Sequence, residues 1–342
     1  MINSTSYKRA SGCLFGLAFG DALGADTEFL SVSEILRGFP PDGPSQPLGD
    51  PALVTDDTQM TLAVGKALLE AARPYTVATL EGQLRRAFIE WCDSSDNNRA
   101  PGITCMNACE RLAQGLDWHQ ATAISSKGCG ANMRVAPVGL LPARQDGVTP
   151  EMRAAIAQFQ AALTHGHPTG LAAADLTAMA IADLVAGGDP AGLPQRLREY
   201  ALSQRTSYHE EWLGSLWQQA MVFDTPQEYM AHGWNECLQV LDRLEQALRV
   251  MDRASDPCLQ TGAGWVAEEA MATGLLCFLL YPDDPVAAIR RAAVSSGDSD
   301  SIACLTGAFA GAHAGLAAWP AEWITRIEYR DQLSRLGNAW DR

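Results

Sequence analysis

The sequence predicts an all-α protein built as a single domain, and three observations carry that expectation. Segment after segment of the 342 residues has apolar side chains at helical spacing or an Ala/Leu-rich helical composition. Alternating strand patterns are nearly absent. No internal repeat and no long low-complexity linker divides the chain, although its length would allow a large single core or two modest domains.

In chain order, the first element is "GCLFGLAFGDALG", with Gly12, Gly16, Gly20 and Gly24 at every fourth position. Residues four apart share one helix face. Each glycine there lowers helix propensity by roughly 1 kcal/mol, so close approach of a second helix is the expected offset. A Pro/Gly-rich connection, "FPPDGPSQPLGDPALV", leads to "TDDTQMTLAVGKALLEAA", a helix that starts on Thr55, Asp56 and Asp57. Capping accounts for one carboxylate at such a start, with Gln59 in the first turn. "TLEGQLRRAFIEWCD" is the next helix. The stretch "SSKGCGANMR", residues 125–134, reads as a glycine-rich loop before a helix, where Gly128 and Gly130 let backbone N–H groups approach a phosphate. Helices follow in "EMRAAIAQFQAALTH", "GLAAADLTAMAIADLVAG", "CLQVLDRLEQALRVMDRA" and "GWVAEEAMATGLLCFLLY". The last, in "SSGDSDSIACLTGAFAGAHAG", opens on Asp298 and Asp300 and carries Gly307, Gly311 and Gly315 on one face. If the two glycine-striped helices pack antiparallel, Asp21 at the end of the first approaches Asp298 and Asp300 at the start of the second. Two acidic doublets flanked by Thr or Ser, each with one carboxylate more than a cap needs, favour a shared cation. Oxygen ligands of this kind suit Mg²⁺ or Mn²⁺ rather than zinc.

Composition sets bounds on partners and location. Forty acidic against 25 basic residues give a net charge of −15, which argues against a nucleic acid partner, since phosphate-backbone binding needs a basic surface. Nine cysteines form no Cys-x-x-Cys pair, and several lie in apolar stretches, as expected of reduced, buried thiols. Cys105 and Cys109 share a helical spacing without a His cluster to complete a zinc site. The basic and apolar N-terminus resembles a weak signal peptide, but Gly12, Gly16, Gly20 and Asp21 interrupt it. The apolar run "MATGLLCFLLY" is too short to span a bilayer. A cytoplasmic protein with no membrane partner is expected.

"GCLFGLAFGDALGADTEF", "TDDTQMTL", "SKGCGANMRVAPVGLL", "LTHGHPTG", "GWVAEEA" and "GDSDSIA" occur in the order seen in the ADP-ribosylglycohydrolase family, which includes dinitrogenase reductase-activating glycohydrolases and ADP-ribosyl-arginine hydrolases. The resemblance runs from about residue 10 to about residue 318. It implies a compact orthogonal helix bundle with a central cleft holding two Mg²⁺ or Mn²⁺ ions, and marks residues 200–260 as a family-variable insertion. It implies metal binding by Thr55, Asp56 and Asp57 from one side and by Asp298, Asp300 and Ser301 from the other. Glu28 matches the family glutamate near the metals, a ligand or a general base. Glu28, Asp56 and Asp300 are each candidates to accept the proton of the attacking water. Ser126, Lys127, Gly128, Cys129 and Gly130 resemble the loop that holds the phosphates of ADP-ribose, although many relatives carry Asn at the position of Cys129. Gly102 and Thr104, in "NRAPGITC", resemble a second substrate loop, and His165 matches a histidine near ADP-ribose. His167, His313 and the tryptophans have structural explanations first.

The resemblance implies a hydrolase that releases ADP-ribose from modified protein side chains, foremost arginine. One alternative is the same chemistry on serine, a nucleobase or O-acetyl-ADP-ribose. Another is an immunity protein that binds and blocks a cognate ADP-ribosyltransferase, with the aromatic-rich residues 207–237 as the surface. An inactive member is disfavoured by the intact acidic doublets and Glu28.

Overall fold

Glycine decides how the longest contact in the protein is made. In the computed structural model, which describes residues 7–142 and 147–341, helix α1 (Arg9–Gly24) lies antiparallel along the C-terminal glycine-striped helix (Ser299–Ala314). A Cβ on Gly12 would sit 2.6 Å from the Gly311 carbonyl oxygen. One on Gly16 would strike the Gly307 carbonyl, and one on Gly20 the Ala303 carbonyl. One on Gly24 would lie 2.5 Å from the Asp300 Cα. Backbone meets backbone along four turns, and this closeness offsets the propensity lost at each glycine.

The other longer helices are α2 (Asp56–Glu70), α3 (Val77–Cys92), α4 (Ile103–Ala113), α5 (Pro150–Ala162), α6 (Pro168–Val185), α7 (Leu193–Gln204), α8 (Pro226–Val250), α9 (Ala267–Leu280) and α10 (Pro285–Ala293). The striped helix Ser299–Ala314 is α11, and Arg330–Trp340 is α12. Among the described residues there is no strand, only the isolated bridges Ala52–Ile327, Ala123–His165 and Gly128–Val266. The all-α expectation is met. Helix α6 is long and apolar enough to cross a membrane by length and composition, yet 78% of it is buried against the other helices, so it is a core element here.

One expectation for local structure is corrected. The helix expected over 237–254 begins at Pro226 and ends at Val250, because Thr225 caps it through the Glu228 N–H and Met251 takes a left-handed conformation. The loop at 125–134 contains a 3₁₀ turn, Cys129–Ala131, and is followed as expected by a helix, the single turn Ala136–Gly139. The aromatics of 207–237 are packed rather than displayed. Trp234 and Tyr229 are fully buried, and Trp212 and Trp217 pack against the core, Trp212 with its ring 5.6 Å from Phe159. All nine cysteines are free thiols and most are buried.

The C-terminal segment fixes the strand of chain that enters α2. Glu328 accepts from the Val54 N–H (3.1 Å) and pairs with Arg99 (2.6 Å), which also donates to the Val54 carbonyl. At the other end of α1, Asp341 accepts from the Ala10 N–H (2.9 Å) and the Ser11 N–H (3.1 Å). It serves as the N-terminal cap that Lys8 does not provide.

Candidate active site

Three chain segments meet where α1 ends, α2 begins and α11 begins. Asp21, in the last turn of α1, is fully buried and holds the entry to α2. Its carboxylate accepts from the Thr55 N–H (3.0 Å) and hydroxyl (2.8 Å), and from the Thr58 N–H (3.0 Å) and hydroxyl (2.5 Å). Across the glycine contact, Ser299 donates to the Gly24 carbonyl (2.9 Å) and Thr27 donates to Ser299 (2.9 Å). Asp21 was expected near the doublets from spacing; its anchoring of Thr55 and Thr58 was not.

The doublets divide into different roles. Thr55, not an aspartate, caps α2, through the Asp57 N–H. Asp298 occupies the N-cap position of α11 and makes no side-chain cap bond. Capping therefore leaves Asp56, Asp57 and Asp298 unexplained. Asp56 accepts from the Gly102 N–H (3.2 Å), and Asp300 accepts from the Ser301 N–H (2.9 Å) and from the Thr55 hydroxyl at 3.4 Å. One carboxylate oxygen of Asp57 is buried with no hydrogen-bond partner. Carboxylate oxygens of Glu28, Asp298 and Asp300 lie within 4.8 Å of one another.

Burial is the largest influence on these carboxyls, and their neighbours add to it. It pushes Asp21 and Asp56 up to about 7 and Glu28 up to about 8, with Asp300 the next cause for each. Asp57 and Asp298 are raised well above the usual carboxylate range, again by burial and then by Asp300. The cluster repels itself, and no Lys, Arg or His among the described residues pairs with it. An orphaned buried oxygen, converging carboxylates and an all-oxygen donor set fit divalent cations such as Mg²⁺ or Mn²⁺.

Residues expected at the substrate are joined by a chain of contacts that leads away from Asp56. Gly102 bonds Asp56, and the Thr104 and Ser126 hydroxyls lie 3.2 Å apart. Ser126 accepts weakly from the Gly128 N–H. Gly128 and Gly130 lie against the His165 ring. The Cys129 N–H is taken by the Trp265 carbonyl (3.2 Å), so it is not free for a ligand. Its thiol is buried beside Ser301, and burial followed by Asp298 keeps it protonated. Lys127 is paired with Glu236 (2.8 Å) and Glu268 (2.5 Å), so its ammonium pins the loop to α8 and α9. His167 caps α6 through the Thr169 N–H (3.2 Å), a structural task.

Sequence reasoning passed over three groups here. The Cys304 thiol, one turn into α11, lies against Asp57. Phe29 follows Glu28 with a positive φ of 65°, is 68% exposed, and stacks on Trp265 at 5.5 Å. The Ala263 carbonyl, two residues before Trp265, accepts from the Asp298 N–H (2.8 Å), which puts this exposed aromatic pair next to the acidic cluster. An isolated Phe or Trp in a sequence gives no sign of such a pairing.

The sequence profile of the ADP-ribosylglycohydrolase family matches residues 3–341. The ADP-ribosylarginine hydrolase Tri1 of Serratia proteamaculans is 26% identical over 350 residues, covering 97% of this chain and 79% of its own. Human ADP-ribosylhydrolase ARH3 is 25% identical over 366 residues, covering 98% and 94%. A solved structure titled an ADP-ribosylglycohydrolase-related protein complex shares the fold, with a TM-score of 0.68 over 98% of both chains at 22% identity. The match extends past residue 318 to take in Glu328 and Asp341, the residues that clamp the entry to α2 and cap α1. From end to end, the chain is a member of the ADP-ribosylglycohydrolase family.

Proposed function

We propose that the protein is a metal-dependent hydrolase that removes ADP-ribose from modified arginine side chains of proteins. The observation that carries this is the convergence of Glu28, Asp298 and Asp300, with buried Asp56 and Asp57 close enough to feel the charge of Asp300, in a chain of this family. Thr55, Asp56, Asp57, Asp298, Asp300 and Ser301 would hold two divalent cations, Mg²⁺ or Mn²⁺. Such ions supply charge stabilisation and a more acidic bound water when present.

The chain's own residues do the rest. Gly102, Thr104, Ser126, Gly128, Gly130 and His165 line the path for the ADP-ribose moiety, with Lys127 and Cys129 holding the loop in shape. Glu28, half-buried at the edge of the cluster, is placed to take a proton from the attacking water. Water oxygen bonds to ribose C1″ and the C1″–N bond breaks, passing through a glycosyl-cation-like transition state. The bonding pair stays on the guanidine nitrogen, and the guanidine recovers a proton from Glu28 or solvent. Arginine is favoured over serine by the exposed Phe29–Trp265 pair beside the acidic cluster, since an aromatic face attracts a guanidinium. The similarity to Tri1, named an ADP-ribosylarginine hydrolase, supports the same substrate.

The test is release of ADP-ribose from arginine-modified and serine-modified protein, with Mg²⁺, with Mn²⁺ and with chelator. Metal-dependent release from the arginine substrate, lost in a folded Asp300→Ala variant, is expected. Release from the serine substrate alone would move the specificity. Release in chelator, or full activity of Asp300→Ala, would overturn the metal-dependent mechanism.

A further inference from the structure

Arg134 is fully buried, and no carboxylate among the described residues pairs with it. Its guanidinium donates to the Gln160 side chain (2.8 Å), the Gln160 carbonyl (2.7 Å) and the Thr164 hydroxyl oxygen (2.8 Å), and it lies over the Phe88 ring. The same Thr164 oxygen is 2.8 Å from Nδ1 of His165. Thr164 therefore receives a charge-assisted bond and has one proton to give. Three acceptors are within reach. The Ala161 carbonyl is 3.5 Å away and already accepts from the Thr164 N–H (3.1 Å) and the His165 N–H (2.9 Å). The Cys105 thiol, kept neutral by burial, is a weak acceptor. His165 Nδ1 is the nearest and the strongest, and a hydroxyl polarised by a buried cation is a better donor than acceptor. Nδ1 thus accepts, which leaves the ring proton on Nε2.

That nitrogen faces the loop. A Cβ on Gly128 would lie 3.2 Å from Nε2 and one on Gly130 3.5 Å from it, so the two glycines keep side chains off that edge of an otherwise buried ring. Burial, then the charge of Arg134, holds the ring neutral, with its pKa lowered to about 3.

We propose that Arg134 and Thr164 are positioning residues that lock His165 as its neutral Nε2–H tautomer, aimed between Gly128 and Gly130 as a hydrogen-bond donor to an anionic phosphate oxygen of the ligand. The identity of the ligand as a nucleoside diphosphate rests on the proposed function; the tautomer does not. A neutral donor in this place suits a site that must bind an anion and then release it, since an imidazolium would hold it more tightly.

The experiment uses the full chain labelled with ¹⁵N-histidine. Long-range ¹H–¹⁵N correlation reads the tautomer of His165 directly, assigned by its absence in His165→Gln, and calorimetry with Mg²⁺ present reads ADP-ribose affinity. The wild type is expected to show protonated Nε2 and unprotonated Nδ1 before any ligand is added. Thr164→Val is expected to lose that preference and to weaken ADP-ribose binding roughly tenfold, while Thr164→Ser keeps both. A purely structural Thr164 would change stability without moving the tautomer. Protonated Nδ1 in the wild type, or Thr164→Val with unchanged tautomer and affinity, would overturn the proposal. The expected tautomer in a wild type that binds no ADP-ribose would uphold the Arg134–Thr164–His165 relay and remove the proposed function instead.

Discussion

Glu28 is the one member of the acidic cluster that is half-exposed, and it belongs to no helix, so it can reach both the cluster and a water at its edge. Replacing its charge while keeping its shape separates proton transfer from binding. Glu28→Gln is expected to lower kcat about 10²- to 10⁴-fold, the usual contribution of a general base, with ADP-ribose affinity near the wild-type value. Turnover within a few-fold of wild type would shift the base role to Asp56 or Asp300. Away from the site, Asp175 permits a cleaner electrostatic prediction. It is buried in α6, accepting from Gln158 (2.9 Å) and the Tyr200 hydroxyl (2.8 Å), and burial pushes it up to about 6 despite both bonds. A folded-state value above the unfolded one means that the protonated form favours folding. Its contribution is complete below about pH 4 and is lost as pH rises through 6. Asp175→Asn removes that loss. The Gln158 side-chain oxygen, buried and without a partner, can turn to accept from the new amide. The variant should be more stable than wild type by up to about 3 kcal/mol at pH 7.5 and by little at pH 4, as read by urea unfolding at both values. Equal differences at the two pH values would refute it.

At the scale of elements, the same substitution should have opposite signs on two helices. Gly20 of α1 faces the Ala303 carbonyl so closely that any Cβ must push α11 away, and nothing flexible is there to yield. Gly20→Ala is expected to cost about 3 kcal/mol or more, overpacking outweighing a propensity gain of about 1. It should also impair activity, because Gly24 and Ser299 in the next turn set the spacing of Asp21 and Asp300. Gly82 lies in the exposed part of α3, and a Cβ there meets nothing within 4 Å. Gly82→Ala should stabilise by up to about 1 kcal/mol and leave activity untouched. Thermal unfolding of the pair checks both, and a stable, active Gly20→Ala would show that backbone contact does not dictate the helix spacing. The antiparallel pairing of these helices was legible in the sequence because a four-residue glycine period has few other uses. The start of α8 was not, since its first turns are mixed in polarity and only the Thr225 cap marks them.

For the whole molecule, the legible part of the candidate site was the acidic doublets, since each holds one carboxylate more than a helix start can use, and Asp298 indeed caps nothing. What the sequence could not display are partners far apart in the chain. Asp21 in α1 holds Thr55 at the start of α2, Glu328 reaches Arg99 from the C-terminal segment, and Arg134 meets His165 through Thr164. These long-range ties mean that the cluster is assembled by the entire fold, so the proposed cation site predicts that metal and folding are linked. Asp56, Asp57, Asp298 and Asp300 come from two helix starts, with Asp21 from a third helix, and they repel one another in a place shielded from water. An ion that binds only this arrangement stabilises it by RT ln(1 + [L]/Kd), about 2.7 kcal/mol at a hundredfold excess over Kd. The thermal midpoint should therefore rise with Mg²⁺ or Mn²⁺ and fall with chelator. Asp57→Asn should behave in the opposite way in each state. Without metal it replaces a carboxyl whose ionisation is opposed by burial and by Asp300 with a neutral amide, and is expected to be more stable than wild type by about 1–3 kcal/mol. With metal it lacks a ligand, and the midpoint should move little. A wild-type midpoint indifferent to both metal and chelator, or an Asp57→Asn variant less stable than wild type in chelator, would show that the cluster is held together by something other than a cation.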